Sequence, residues 1–179
     1  MQIKKQSQQI KKLTLGAALS ALALVLSLLE SALPSFFPLP GMKLGLANIV
    51  TVFALYTLGT PSAFMILTAR ILLGSVFSGQ LTGFFYSFTG GMLAMLTMSF
   101  MKRLSRCTIY GVSVSGAAAH SIGQVAAACV LTGSLAPVAY LAPMLFLSLF
   151  TGALSAFTVS LLLGAKALRK FSQSAFTET

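Results

Sequence analysis

The sequence predicts an all-α integral membrane protein with six transmembrane helices, and three observations predict it. Hydrophobic residues make up 56% of the 179-residue chain and charged residues only 8%, against about 25% charged in soluble domains. So few charges cannot coat a water-soluble fold of this size. The apolar residues form long runs broken at Pro-, Gly- and Ser-containing turns. Ten of the twelve Lys and Arg residues fall in three short clusters between those runs, which is how membrane topology is written.

Residues 1–12 read as a solvated basic tail carrying Lys4, Lys5, Lys11 and Lys12 among Gln and Ser. Leu13 to Leu33 follows as a stretch whose only charge is Glu30. A signal peptide opens the same way, but its apolar region is shorter and ends in a small-residue cleavage site, so this stretch reads as helix one. Pro34, Pro38, Pro40 and Gly41 break it, leaving a loop with the aromatic pair Phe36 and Phe37. Helix two is expected from about Leu44 to Leu58, short for a span. Gly59-Thr60-Pro61 gives a tight turn with proline placed to begin helix three, from about Ser62 to Val76 or slightly beyond. After Ser78-Gly79-Gln80, helix four covers about Leu81 to Met101. Lys102, Arg103 and Arg106 form the second basic cluster. Helix five runs from about Thr108 to Leu131, a connection spans Gly133 to Pro137, and helix six covers about Val138 to Ala165. Residues 166–179 form a basic tail with Lys166, Arg169 and Lys170, which leaves 13–165 as one transmembrane domain.

Six helices place both termini on one side. With the N-terminus in the cytoplasm, both tails and the loop between helices four and five are internal, and those places hold the three basic clusters as the positive-inside rule expects. Five or seven helices would put a cluster on the wrong side. The short helices two and three are the weak point of the count, since they could form a re-entrant pair.

The charge inventory excludes whole classes of function. Only two acidic residues occur, Glu30 and Glu178, and there is no Asp. Paired carboxylates for a two-metal cluster or an acid/base dyad cannot be built from this chain alone. The net charge of +10 raises nucleic acid as a partner, but basic residues clustered between apolar runs point to lipid and not to nucleic acid. Cys107 and Cys129 sit at opposite ends of helix five, roughly 33 Å apart, and form neither a disulfide within it nor a metal site. They read as small apolar filler, and no cofactor is implied. No G-x-x-x-x-G-K-[ST] sequence is present, so the chain carries no P-loop.

Two basic residues fall outside the clusters. Lys43 is placed at the outer mouth of helix two. Arg70 is placed roughly 12 Å into helix three, where a charge costs several kcal/mol unless paired or hydrated and is a functional candidate by default. An ion pair with Glu30, the only other charge within a span, is the structural alternative, and it does not exclude a role in function. Asn48 lies near the outer end of helix two. His120 and Gln124 lie one turn apart on helix five and share a face. Each polar residue alone reads as a helix-to-helix hydrogen bond. Together, Glu30, Lys43, Asn48, Arg70, His120 and Gln124 describe an outward-opening pocket whose two fixed positive charges suit an anionic or strongly polar small-molecule ligand.

Small residues mark close helix approaches. Gly111, Ser115, Ala119, Gly123 and Ala127 repeat every four positions along helix five, and internal bundle packing is the simpler reading of that stripe. Ala17 and Ala21 repeat once on helix one.

The run from Pro40 to Asn48 (PGMKLGLAN), the run from Arg70 to Ser75 (RILLGS), Gly90-Gly91 and the run from Ala119 to Gln124 (AHSIGQ) resemble the bacterial Gx transporter family, also called heptaprenyl diphosphate synthase component I. The resemblance covers about residues 10–170, and its first and last motifs are the specific parts. Where that family commonly has Asn after the histidine, this chain has Ser121. The family is similar in turn to the substrate-binding S components of energy-coupling factor (ECF) importers. That resemblance implies an S-component-like six-helix bundle in the bacterial cell membrane, with Ala17-x-x-x-Ala21 docking a transmembrane coupling subunit and separate ATPase subunits supplying energy. In that reading Lys43 and Arg70 meet the ligand's charge, Asn48, His120 and Gln124 hydrogen-bond it, and Glu30 orients Arg70.

The two family names make different claims. A prenyl diphosphate synthase holds Mg²⁺ against the diphosphate with aspartate-rich motifs, so a chain without Asp is at most an accessory subunit of one. A membrane subunit of an isoprenoid or redox assembly is therefore a second reading, and a proton-coupled secondary carrier using Arg, Glu and His a third. Topology is open to direct test. Single cysteines introduced at Gln8, Ser105 and Ser172 should react with an impermeant label only from the cytoplasmic side, and one at Ser35 only from outside. Opposite labelling at Ser105 would sink the six-helix arrangement, because the basic loop there sets the count.

Overall fold

A computed structural model describes residues 2–32, 43, 45–104 and 107–164. Among these residues the fold is all helical, with α1 (Gln2–Ala32), α2 (Asn48–Thr57), α3 (Thr60–Ser78), α4 (Leu81–Arg103), α5 (Ile109–Thr132) and α6 (Leu141–Gly164). A 3₁₀ turn (Ala136–Tyr140) precedes α6 and replaces the expected start of helix six. Ser35, Phe36, Phe37 and the prolines of the expected external loop lie outside the described residues. So do Ser105, Arg106, Lys166, Arg169 and Lys170.

The helix ends follow local chemistry. Thr108 caps α5, its hydroxyl oxygen accepting from the Gly111 amide at 3.3 Å, a residue type suited to that position. Gly59 turns the chain from α2 into α3, with Pro61 in the first turn of α3. The Lys102 ammonium donates to the Leu55 carbonyl and lies 4.9 Å from the Tyr56 ring centroid. A cation at a helix C-terminus meets its partial negative charge, so Lys102 ties the end of α2 to the end of α4.

Five helices (α1, α3, α4, α5, and α6 with its 3₁₀ turn) are long and apolar enough to cross a membrane. Their outward faces expose Leu22, Val76, Phe85, Leu96, Phe150 and Leu161, an apolar surface that water would not tolerate on a monomer. Hydroxyls placed in the spans, at Thr68, Thr97 and Thr158, each return their proton to the carbonyl one turn back at 2.8–2.9 Å. None of these three donors is then left unmet in lipid. The chain is a multi-pass membrane protein.

Helix two departs from expectation. It begins at Asn48 instead of Leu44 and has ten residues, about 15 Å, half of what a span requires. It is apolar on every side because every side is covered. Val50, Val52, Phe53, Ala54 and Leu55 are buried in one cluster with Leu19 of α1, Leu67 of α3, Met95 and Met98 of α4, Val112 of α5 and Val159 of α6. A helix hydrophobic all round belongs in an interior, and α2 is packed there directly against α3, α6 and α1.

Lipid tails are as apolar as Leu, so helices associate here through close packing and hydrogen bonds more than through removal from water. The most extensive helix pair is α4 with α5, followed by α5 with α6. A Cβ on Gly123 would stand 2.7 Å from the Gly90 Cα and 2.8 Å from the Thr89 carbonyl oxygen, and one on Gly90 would stand 2.8 Å from the His120 carbonyl oxygen. The Thr89 hydroxyl crosses the same contact to the Gly123 carbonyl at 3.0 Å. Only the upper part of the helix-five stripe lies in this seam, since Gly111 is exposed while Ala119, Gly123 and Ala127 are buried. Gly116, outside the four-residue repeat, is equally tight, because a Cβ there would meet the Met98 side chain at 2.4 Å. Gly123→Ala should therefore destabilise the protein by about 1–3 kcal/mol, since the obstructing atoms are backbone and cannot swing away. Gly111→Ala should be neutral or stabilising by up to about 1 kcal/mol. Melting of the purified protein followed by circular dichroism separates the two.

Candidate functional site

The segment before α2 is not helical, and it lies inside the bundle. Gly45 has φ +86°, a left-handed conformation that a side chain disfavours, and a Cβ there would stand 3.0 Å from Asn48 Nδ2. This turn is what shortens helix two. The Gly45 carbonyl accepts from the Asn48 amide at 2.9 Å, and the Leu46 carbonyl from Ile49 at 3.1 Å, which closes the first turn of α2. Ten residues back from its anchored end, the start of α2 sits about half-way along the bundle. Arg70, ten residues along the adjacent and oppositely directed α3, is level with it.

Backbone amides and carbonyls at that depth need partners, because the bilayer interior offers no water. Two side chains supply them, and a third supports one of the two. Gln124 of α5 accepts from the Lys43 amide at 3.2 Å through Oε1 and donates to the Lys43 carbonyl at 3.1 Å through Nε2. Glu30 of α1 accepts from the Gly45 amide through Oε1. Gln124 Nε2 also lies 2.6 Å from His120 Nε2. An amide nitrogen only donates, so His120 Nε2 must accept and the ring proton sits on Nδ1. His120 is thus held as the neutral tautomer by its neighbour one turn along.

The structure brings all six expected site residues into one region but spends them differently. Gln124, fully buried, and Glu30 hold backbone, and His120 supports Gln124. The direct ion pair expected between Glu30 and Arg70 does not form. No nitrogen of Arg70 approaches a Glu30 oxygen within ion-pair distance, and the Glu30 carboxylate is turned to the Gly45 amide. The two groups and Lys43 remain within electrostatic reach of one another. Arg70 itself is 5% exposed and makes no hydrogen bond or ion pair among the described residues. Its Nε, Asn48 Oδ1, Thr51 Oγ1 and His120 Nδ1 are all buried without a partner among those residues. Leaving such a group unpaired costs about 1–3 kcal/mol.

Arg70 and Lys43 meet in a small cleft lined by Ser27, Ser75, Ser78, Ser87, Gly74, Gly83, Ile71 and Phe84. The Lys43 ammonium donates to the Ser27 hydroxyl oxygen at 3.0 Å. The serines escaped the sequence reading. Ser27 lies three residues before Glu30 and so shares its buried face, which was the available signal for it, whereas Ser87 has no such marker. No group of three or more His, Cys, Asp or Glu among the described residues is placed to hold a metal.

Ala17 and Ala21 lie elsewhere, both exposed near the middle of α1. Ala17 borders a cleft of about 380 Å³ between α1 and the beginning of α3, whose walls include Gly16, Met65 and Ala69.

The Gln124 clamp makes a prediction. Gln124→Ala strips the Lys43 amide and carbonyl of their partners and should destabilise the purified protein by about 3 kcal/mol. Glu30→Gln keeps an acceptor for the Gly45 amide and should cost less. Equal melting of Gln124→Ala and the unaltered chain would show that other contacts hold the loop.

Residues 19–162 match the family model of heptaprenyl diphosphate synthase component I. No curated protein and no solved structure matches the chain. The matched segment includes Glu30, Lys43, Asn48, Arg70, His120 and Gln124, runs from α1 into α6, and takes in well over half of the 179 residues. The chain belongs to the heptaprenyl diphosphate synthase component I family.

Proposed function

We propose that this protein captures a small anionic or polar-headed ligand as the S-component-like membrane subunit of an ECF-type importer in the bacterial cell membrane. One observation carries the reading: Arg70 is buried at mid-bundle beside Lys43, with no partner among the described residues. A purely structural arginine at that depth is expected to be paired, because an uncompensated buried charge costs about 3–5 kcal/mol. A ligand that brings negative charge supplies the missing partner. Asn48, with its buried unpaired Oδ1, adds a hydrogen-bonding group beside the same loop. Glu30, His120 and Gln124 serve the ligand by holding Lys43 in place.

A chain without Asp and without a P-loop needs energy from elsewhere, so the reading calls for a transmembrane coupling subunit and separate ATPase subunits. The exposed Ala17 and Ala21 leave α1 open to close approach by another helix. The family name favours a second reading, a non-catalytic membrane subunit working with a prenyl diphosphate synthase.

Purification in mild detergent from its own cells distinguishes the two. Retention of ATPases and a membrane coupling protein is the expected result, and retention of a soluble prenyltransferase in their place would support the second reading. Replacing both Ala17 and Ala21 with Leu should abolish retention of the coupling protein and leave melting and ligand affinity nearly unchanged, since both residues are exposed. Loss of ligand affinity with association intact would mean that the patch had been assigned wrongly.

A further inference from the structure

We propose that Arg70, Lys43, Ser27 and Ser87 form a seat for one singly charged phosphoryl oxyanion, the head of the ligand; this rests on the ligand-capture reading above. Arg70 carries five N–H groups, and none is engaged among the described residues. Lys43 uses one of its three on Ser27. Ser27 accepts that bond and keeps its own proton, and Ser87 makes no hydrogen bond among the described residues. Ser75 and Ser78, on the same cleft, are already spent on the carbonyls of Leu72 and Ser75. The cleft therefore presents donors and almost no free acceptors, and no acidic side chain lines it. Its complement is a group that only accepts.

The donors come from α1, the loop before α2, α3 and α4, which surround the cleft. A carboxylate is planar, and its two oxygens lie in the plane of the arginine fork that pairs with them. A tetrahedral phosphoryl group points oxygens out of that plane, where Lys43 and the serines stand. The cleft holds about 10 Å³, room for one water-sized atom. Only an oxygen of the group enters it, and the substituent stays outside its mouth.

Formal charges on Glu30, Lys43 and Arg70 sum to one positive, and His120 adds none because its Nε2 accepts a hydrogen bond. One negative charge brings the region to neutrality; a doubly charged group would overshoot. A phosphodiester, or a phosphate carrying a single charge, fits this count.

The test uses the full chain in phosphate-free detergent, with dimethyl phosphate and acetate as singly charged probes of different shape. Half-maximal protection against thermal unfolding should need at least about tenfold less dimethyl phosphate than acetate. Ser87→Ala, a small change at a partly exposed site, should weaken dimethyl phosphate about fivefold and acetate little. Arg70→Lys keeps the charge but loses the planar fork, and should weaken dimethyl phosphate about tenfold. Equal or better protection by acetate, or an unchanged dimethyl phosphate response in Ser87→Ala, would overturn the seat. Native mass spectrometry separates the two sources of the group. A retained phospholipid that is lost in Arg70→Lys identifies a headgroup, and a co-purified soluble organic phosphate on a lipid-free protein, also lost in Arg70→Lys, identifies a soluble ester. If acetate wins while the coupling protein and ATPases still co-purify, the oxyanion seat fails and ligand capture stands. If neither anion protects and no ATPase is retained, both fail.

Discussion

The bidentate grip of Gln124 on the Lys43 backbone is the contact on which the rest of the site depends. A chain that leaves its helix inside a bilayer must find partners for every exposed amide and carbonyl, and water is not available to supply them. Gln124 provides one acceptor and one donor in a single rigid amide, and Glu30 accepts from the next amide but one. With those three backbone groups satisfied, residues 43 and 45–47 can stay irregular at half-depth. α2 can then begin in the middle of the bundle and not at its edge.

That arrangement sorts the polar residues by task. Glu30, Gln124 and His120 are consumed in making the loop possible, and a ligand that took them would release the backbone they hold. Arg70 and the Lys43 ammonium are not consumed. Fixing the Lys43 backbone from α5 and its ammonium from Ser27 of α1 leaves the side chain few ways to move, so its charge stands beside Arg70 at little cost in disorder. Rigidity of the loop and availability of the two cations are one design seen from two sides.

The α4–α5 seam completes it. Gly90 and Gly123 let two backbones approach where any side chain would collide, and this close approach seats His120 against α4 at the depth of the loop. Two mid-helix glycines cost helix propensity, about 1 kcal/mol each relative to Ala, and the close packing and the Thr89–Gly123 bond offset that loss. Glycines that look like weak punctuation in the sequence are therefore as necessary to the site as the residues that carry its charge.

Membrane residence was legible in the sequence, because hydropathy is a sum over residues and needs no knowledge of neighbours. The bounds of α3, α4 and α5 were legible to within about two residues for the same kind of reason: turn chemistry at Gly59-Thr60-Pro61, Ser78-Gly79-Gln80 and Thr108 acts locally. Arg70, Lys43, Asn48, His120 and Gln124 stood out as polar residues in apolar surroundings. What the side chains do with one another was not legible. An apolar ten-residue helix that fills a core and one that half-spans a bilayer share the same hydropathy, and only the neighbours that bury α2 distinguish them. The opposite charges of Glu30 and Arg70 suggested a pair, yet Glu30 faces the Gly45 amide, a competitor that exists only once residue 45 has folded back into the bundle. Ser87 carried no signal that set it apart from the other serines, and Ser27 only its place one turn before Glu30. Composition and periodicity describe each residue's average surroundings, whereas partners are pairwise and set by the path of the chain, so the tertiary structure alone decided which polar groups are spent and which remain.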